Sequence, residues 1–211
     1  MLYWAVIFFL VAIVAGIFGF FAIIITVMVL DLKVPTGTTL RALMPLAPVF
    51  LNYALSFLYL GIYWNNHHHL LQVPMRVNGS MLWANLHLLF WLSLFPFVTG
   101  WMGSSDFAPL PSAIYGLVLL AAALAYWVLQ HRIVTAQGAT SRLKAALGKD
   151  WKGKLSPILY ATGVLSTLWM RGIAQALYLT VALFWLIPDR RIERMLEKPS
   201  AKSSASGPGQ M

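Results

Sequence analysis

Polar side chains capable of binding metals or forming hydrogen bonds lie inside the apolar stretches of this chain. His67, His68 and His69 are consecutive, and Asn85 lies in a later apolar stretch. A helical metal site needs histidines three or four residues apart on one face, whereas consecutive histidines point in different directions. No carboxylate lies beside them. We therefore expect no metal and no cofactor, and we assign Asn85 and the imidazoles to hydrogen bonds between helices. A histidine-ligated metal or haem site is kept as an alternative.

No arrangement of residues predicts catalysis. The chain has no cysteine, which excludes disulfides and thiolate chemistry. The sequence also lacks a nucleophile with its base, paired carboxylates within apolar segments, and a glycine-rich phosphate loop. We therefore predict that the protein is not an enzyme.

The composition is that of a membrane protein. The chain has 211 residues, of which 60% are hydrophobic and 10% are charged, whereas charged residues make up roughly a quarter of a soluble domain. There are 15 Lys and Arg residues against 6 Asp and Glu residues. In a membrane protein this basic excess belongs in loops beside anionic lipid head groups. We expect membrane lipids, and no nucleic acid, as partners.

Apolar stretches predict six transmembrane helices, of which the first four are long enough to cross a hydrocarbon core of ~30 Å and the last two are short. The last apolar stretch, Leu155–Ile187, is roughly 50 Å long as a helix, which is too long for one crossing. We divide it near Arg171. The predicted helices are residues 3–30, 43–64, 80–102, 113–131, 155–170 and 172–187.

Loop charges predict that both termini are cytoplasmic. The connection Arg132–Lys154 contains 6 Lys and Arg residues, whereas Gly103–Ser112 contains only Asp106 as a charged residue. By the positive-inside rule, the first connection is cytoplasmic and the second is external. The tail at residues 192–211 is basic and rich in Ser, Gly and Pro, so we predict that it is disordered and cytoplasmic. The predicted fold is an all-α, six-helix integral membrane protein.

Several segments resemble the bacterial branch of the transmembrane protein 175 family of endosomal and lysosomal potassium channels. The most specific part is Ser56-Phe followed by Trp64-Asn-Asn-His67-His68. The resemblance extends over about Phe20–Arg191. It is carried by Phe21–Pro35, Pro48–His68, Leu82–Leu86, Pro96-Phe97, Ala113–Gly116 and Trp185–Arg190.

The resemblance implies a homotetramer of six-helix subunits in a bacterial cytoplasmic membrane, with first helices lining a central pore that passes potassium ions. Ile23, Val27 and Leu30 would form an apolar constriction, with Thr26 as a polar neighbour. Spacing alone favours a different interpretation, in which these three residues pack or face lipid. The resemblance also implies a hydrogen-bond network between helices, formed by Trp64, His67, His68 and Asn85.

One segment departs from the family pattern. The family carries an arginine, then Phe-Ser-Asp, where this chain has no arginine and has Gly16, Ile17 and Phe18. Met1–Phe20 instead resembles the start of a small bacterial membrane-protein family of unknown function. The predicted function is a potassium-permeable, leak-type cation channel. The alternative is a non-conducting membrane scaffold that keeps the fold without the Phe-Ser-Asp motif.

Overall fold

A computed structural model describes residue 16 and residues 19–71, 78–137 and 151–186. Every regular element in these ranges is helical, so the predicted all-α class is confirmed. A 3-10 helix, Leu40–Leu46, precedes α2. The α-helices are α1 (Gly19–Leu30), α2 (Ala47–Leu71), α3 (Gly79–Ser93), α4 (Phe95–Ser104), α5 (Pro109–Gln137), α6 (Trp151–Ser166) and α7 (Arg171–Leu186).

Three helical stretches are long and apolar enough to cross a membrane: Leu40–Leu71, Gly79–Ser104 and Pro109–Ala136. The segments Gly19–Leu30 and Gly172–Leu186 are shorter apolar helices. The number of crossings and the side of each terminus stay predictions. The predicted tail at residues 192–211, most of the segment Met1–Phe20, and most of the basic connection after α5 lie outside the described residues.

The helix ends differ from the predicted ones for identifiable reasons. The predicted helix 80–102 is divided at Leu94, because Pro96 has no N–H and its ring clashes with the carbonyl of residue i−4. Helix α2 continues past Trp64 to Leu71, through the histidines. The stretch 155–187 contains two helices separated by a turn, and α6 already ends at Ser166.

The helices form a bundle in which α4 continues the direction of α3 and the other consecutive helices run antiparallel to each other. The start of α2 meets the end of α4, where the Asn52 amide donates to the Thr99 carbonyl. Helix α5 packs against α3, α4 and α6, and α7 returns to pack against α6 and α2. The core between them is built on large side chains, including the fully buried Tyr59, Phe95, Tyr115 and Tyr178.

Close packing at Tyr178 depends on two glycines. A Cβ built on Gly116 of α5 would overlap the Tyr178 hydroxyl, and one built on Gly163 of α6 would overlap its ring. The hydroxyl donates to the Ser112 carbonyl at 3.2 Å. Small residues at helix contacts allow backbones in a membrane protein to approach closely. These glycines therefore let α7 fit between α5 and α6.

Candidate pore face and interhelical contacts

Helix α1 has one buried face and one exposed face. Phe21, Ile24 and Met28 are only 3–5% exposed, and their spacing of three and four residues places them on one side of the helix. This side packs against the rest of the bundle. The first helix is therefore anchored along a single stripe.

The three predicted constriction residues lie on the exposed face of α1. Ile23, Val27 and Leu30 are 66%, 48% and 77% exposed. Thr26 is also exposed, and its hydroxyl donates to the Ala22 carbonyl of the same helix at 2.7 Å. Its polar group is thus satisfied within α1, and the surface that α1 presents away from the bundle is apolar.

An open groove adjoins the end of this face. It has a volume of about 910 Å³ and lies between the end of α1, the start of α2 and α4. Val27, Leu30 and Asp31 line one side of the groove. The Asp31 carboxylate lies against Gly100 of α4, where a Cβ would overlap it. Asp31 directly follows Leu30 in the chain, and no sequence pattern predicted its position in this groove.

His67 joins the first three helices. Its side chain is fully buried, and its Nε2 lies 2.6 Å from Oδ1 of Asn85 on α3. The ring of Phe21 on α1 packs against it, with centroids 6.2 Å apart. Because an amide oxygen only accepts hydrogen bonds, this assignment places the proton of His67 on Nε2. The buried face of α1 therefore docks at a polar contact between α2 and α3.

Trp64 and His68, the other two residues of the predicted network, pair with each other. Their rings stack with centroids 6.1 Å apart and an interplanar angle of 18°. They are one turn apart on α2. The structure thus brings the four residues together as two pairs, one between helices and one within a helix. Across the described ranges, no three His, Cys, Asp or Glu side chains converge as metal ligands would.

A second polar contact, which sequence reasoning missed, joins α2 to α4 and α5. Thr99 donates through its hydroxyl to Ser56 at 2.7 Å, and the Ser56 hydroxyl lies 3.0 Å from that of Tyr115. Asn52 and Ser56 stand out in the sequence as polar groups in an apolar stretch that need partners. Their partners could not be identified from the sequence. Thr99 lies on α4, after the break at Leu94, so its depth relative to α2 depends on the geometry of that break.

Comparisons with known proteins agree on one family. A model of the family described as endosomal/lysosomal potassium channel TMEM175 matches residues 10–96. That match begins inside Met1–Phe20, the segment that departs from the expected motif. The chain is 52% identical over 180 residues to a potassium channel of Chryseobacterium sp. (strain P1-3), covering 85% of this chain and 94% of the relative. It is 34% identical over 119 residues to a potassium channel of Streptomyces collinus, covering 53% of this chain and 58% of that relative.

A solved structure shares the fold. The crystal structure of a lysosomal potassium-selective channel TMEM175 homolog from Chamaesiphon minutus matches with a TM-score of 0.73 and 22% sequence identity. The match covers 83% of this chain and 95% of that one.

Proposed function

The chain belongs to the TMEM175 family of potassium channels, and from this membership we propose that it conducts potassium ions across a membrane as a leak-type cation channel. Membership rests on the 52% identity that extends over 94% of the Chryseobacterium channel. The family consists of channels and is not a class of enzymes. Transport of potassium through a membrane is thus the activity to be explained.

The observation that carries the proposal is the exposed apolar face of α1, opposite the stripe that anchors it. One helix face cannot enclose a pore, so several copies of the chain must bring their first helices together, and we propose a homotetramer. Ile23, Val27 and Leu30 would then form stacked apolar rings. Such rings narrow a pore and exclude water, unlike filters that coordinate ions with backbone carbonyls.

Potassium flux into liposomes tests the proposed function. Purified protein is reconstituted in liposomes with a potassium gradient across their membrane, and the quenching of a dye reports the potassium flux. We expect quenching above that of protein-free liposomes, with a potassium ionophore as the positive control. Folded oligomer that produces no quenching would contradict conduction and favour the scaffold alternative, which the missing Phe-Ser-Asp motif motivates.

We further propose that the protein resides in a bacterial cytoplasmic membrane with six crossings and both termini inside. Single cysteines at Ser105, Ser141 and Ser204 test this topology, since the native chain has none. In intact cells an impermeant thiol reagent should label only Ser105→Cys, which lies in the turn between α4 and α5. External labelling of Ser204→Cys would instead mean an odd number of crossings.

A further inference from the structure

The exposed surface of α5 changes character toward the end of the helix. Leu117 and Leu124 are exposed, and Trp127, His131 and Arg132 follow them, also exposed. The Trp127 indole stacks on the His131 imidazole, with ring centroids 5.7 Å apart and an angle of 20° between planes. Along α5 the order is therefore aliphatic, then aromatic, then basic.

Helix α6 carries residues of the same three kinds at the adjoining end, in the order aromatic, basic, aliphatic from its first residue. Trp151, Lys154, Ile158 and Leu165 are all exposed, and intervals of three, four and seven residues place them on one face of the helix. The aromatic and basic residues lie in its first turn, and the aliphatic ones lie deeper. Lys152 donates to the Phe184 carbonyl at 2.9 Å, which ties this first turn to the end of α7.

The end of α5 and the first turns of α6 lie together. Trp127 and Gln130 of α5 line the same pocket as Gly153 and Ser156 of α6. This pocket has a volume of about 40 Å³, which is room for about one or two water molecules. An acyl chain therefore does not fit inside it, and a lipid would have to lie along the outer surface of the two helices.

The depth of the α5 residues matches the layers of a bilayer. Helix α5 is about 43 Å long, longer than the ~30 Å hydrocarbon core. Tryptophan is enriched at the boundary between hydrocarbon and head groups. With Trp127 at that boundary, Arg132 lies more than one turn beyond it, at the depth of lipid phosphates.

Among the described residues, the charged side chains at this end of the bundle are basic. Within the described ranges the acidic residues are Asp31 and Asp106. Asp106 lies just before the start of α5, and Asp31 lies against Gly100 near the end of α4. Both are thus at the opposite end of the bundle from Arg132 and Lys154.

We propose that this surface, formed by Leu124, Trp127, Arg132, Trp151, Lys154 and Ile158, binds an anionic phospholipid. Arg132 binds the phosphate, and Lys154 binds it through a long side chain that extends from its deeper backbone position toward the head groups. The two tryptophans contact the glycerol and carbonyl region, and the aliphatic residues pack against an acyl chain. Each basic residue near an anionic lipid surface contributes enough to favour the charged head group over a zwitterionic one. Lipid binding here does not depend on whether the protein conducts potassium.

Native mass spectrometry in mild detergent tests the lipid site. Dioleoylphosphatidylglycerol or dioleoylphosphatidylcholine is titrated into wild type, the double variant Arg132→Gln/Lys154→Gln, and the matched control Lys33→Gln/Arg41→Gln. The control removes the same charge from exposed residues at the other end of the bundle. We expect the first double variant to bind phosphatidylglycerol about 30-fold more weakly, as follows from two charges at ~1 kcal/mol each. The control should bind like wild type.

Three results would overturn the proposal. An equal loss of phosphatidylglycerol binding in both double variants would mean that binding follows the net charge of the protein. No loss in Arg132→Gln/Lys154→Gln would place the lipid elsewhere. A changed oligomer mass with unchanged lipid binding would identify the surface as a contact between copies of the chain. If the double variant does not fold, Lys154→Gln alone should weaken phosphatidylglycerol binding about fivefold, and unchanged binding in it would also overturn the proposal.

Discussion

The substitution Leu30→Asn is expected to increase cation flux through reconstituted protein by at least about tenfold and to reduce the preference for potassium over sodium. Leu30 is the most exposed of the three apolar residues on the free face of α1, at 77%. If copies of α1 surround a pore, Leu30 contributes an apolar ring that water leaves readily. An amide at this ring retains water and lowers the barrier to ion entry. A tenfold increase in flux corresponds to a reduction of the free-energy barrier to conduction by ~1.4 kcal/mol.

The matched control for this experiment is Leu165→Asn. Leu165 is also apolar and exposed, at 60%, but it lies on α6, away from the proposed pore. Ile23→Asn should act in the same direction as Leu30→Asn. Wild-type flux and selectivity in both α1 variants would remove this face from the pore, and the same change in Leu165→Asn would show that the effect is not specific to α1.

The substitution Gly116→Ala is expected to destabilise the subunit by ~1–3 kcal/mol, the usual range for overpacking. The added methyl group overlaps the Tyr178 hydroxyl and crowds Val164. Tyr178 cannot move away cheaply, because it is fully buried and its hydroxyl donates to Ser112. After heating in detergent, a smaller fraction of the Gly116→Ala variant than of wild type should elute as a monodisperse peak in size-exclusion chromatography.

Gly61→Ala is the control for Gly116→Ala. Gly61 lies within α2, and a Cβ built on it meets no atom within 4 Å. Since alanine is favoured over glycine inside a helix by ~1 kcal/mol, this variant should resist heating as well as wild type or better. Equal heat resistance of the Gly116→Ala and Gly61→Ala variants would contradict the tight packing of α7 at Tyr178.

The apolar stretches predicted the helical class correctly, because a segment that crosses the hydrocarbon core must be long, apolar and hydrogen-bonded within itself. They did not predict helix ends. Asn65–His69 end an apolar stretch, yet α2 continues through them, since His67 is buried against α1 and α3. The break at Leu94 follows from Pro96, a local signal that hydropathy does not contain.

Contacts between helices were less accessible from sequence than the helices themselves. The polar character of Asn85 and His67 marked both as residues that need partners, and their depth on neighbouring helices suggested the contact that the structure contains. The contact of Ser56 with Thr99 and Tyr115 depends on the relative rotation of α2, α4 and α5. Rotation is set by packing of the whole bundle, including glycines such as Gly116, and no short sequence pattern encodes it.

The most direct test of a pore lined by α1 is block of potassium flux by a thiol reagent at Leu30→Cys. The native chain has no cysteine, so a bulky cationic reagent modifies only the introduced side chain, and Leu165→Cys serves as the labelled control. Modification of Leu30→Cys in proteoliposomes should stop the flux, while modification of Leu165→Cys should leave it unchanged. Complete labelling of Leu30→Cys with undiminished flux would contradict the proposal that this face of the first helix lines the pore.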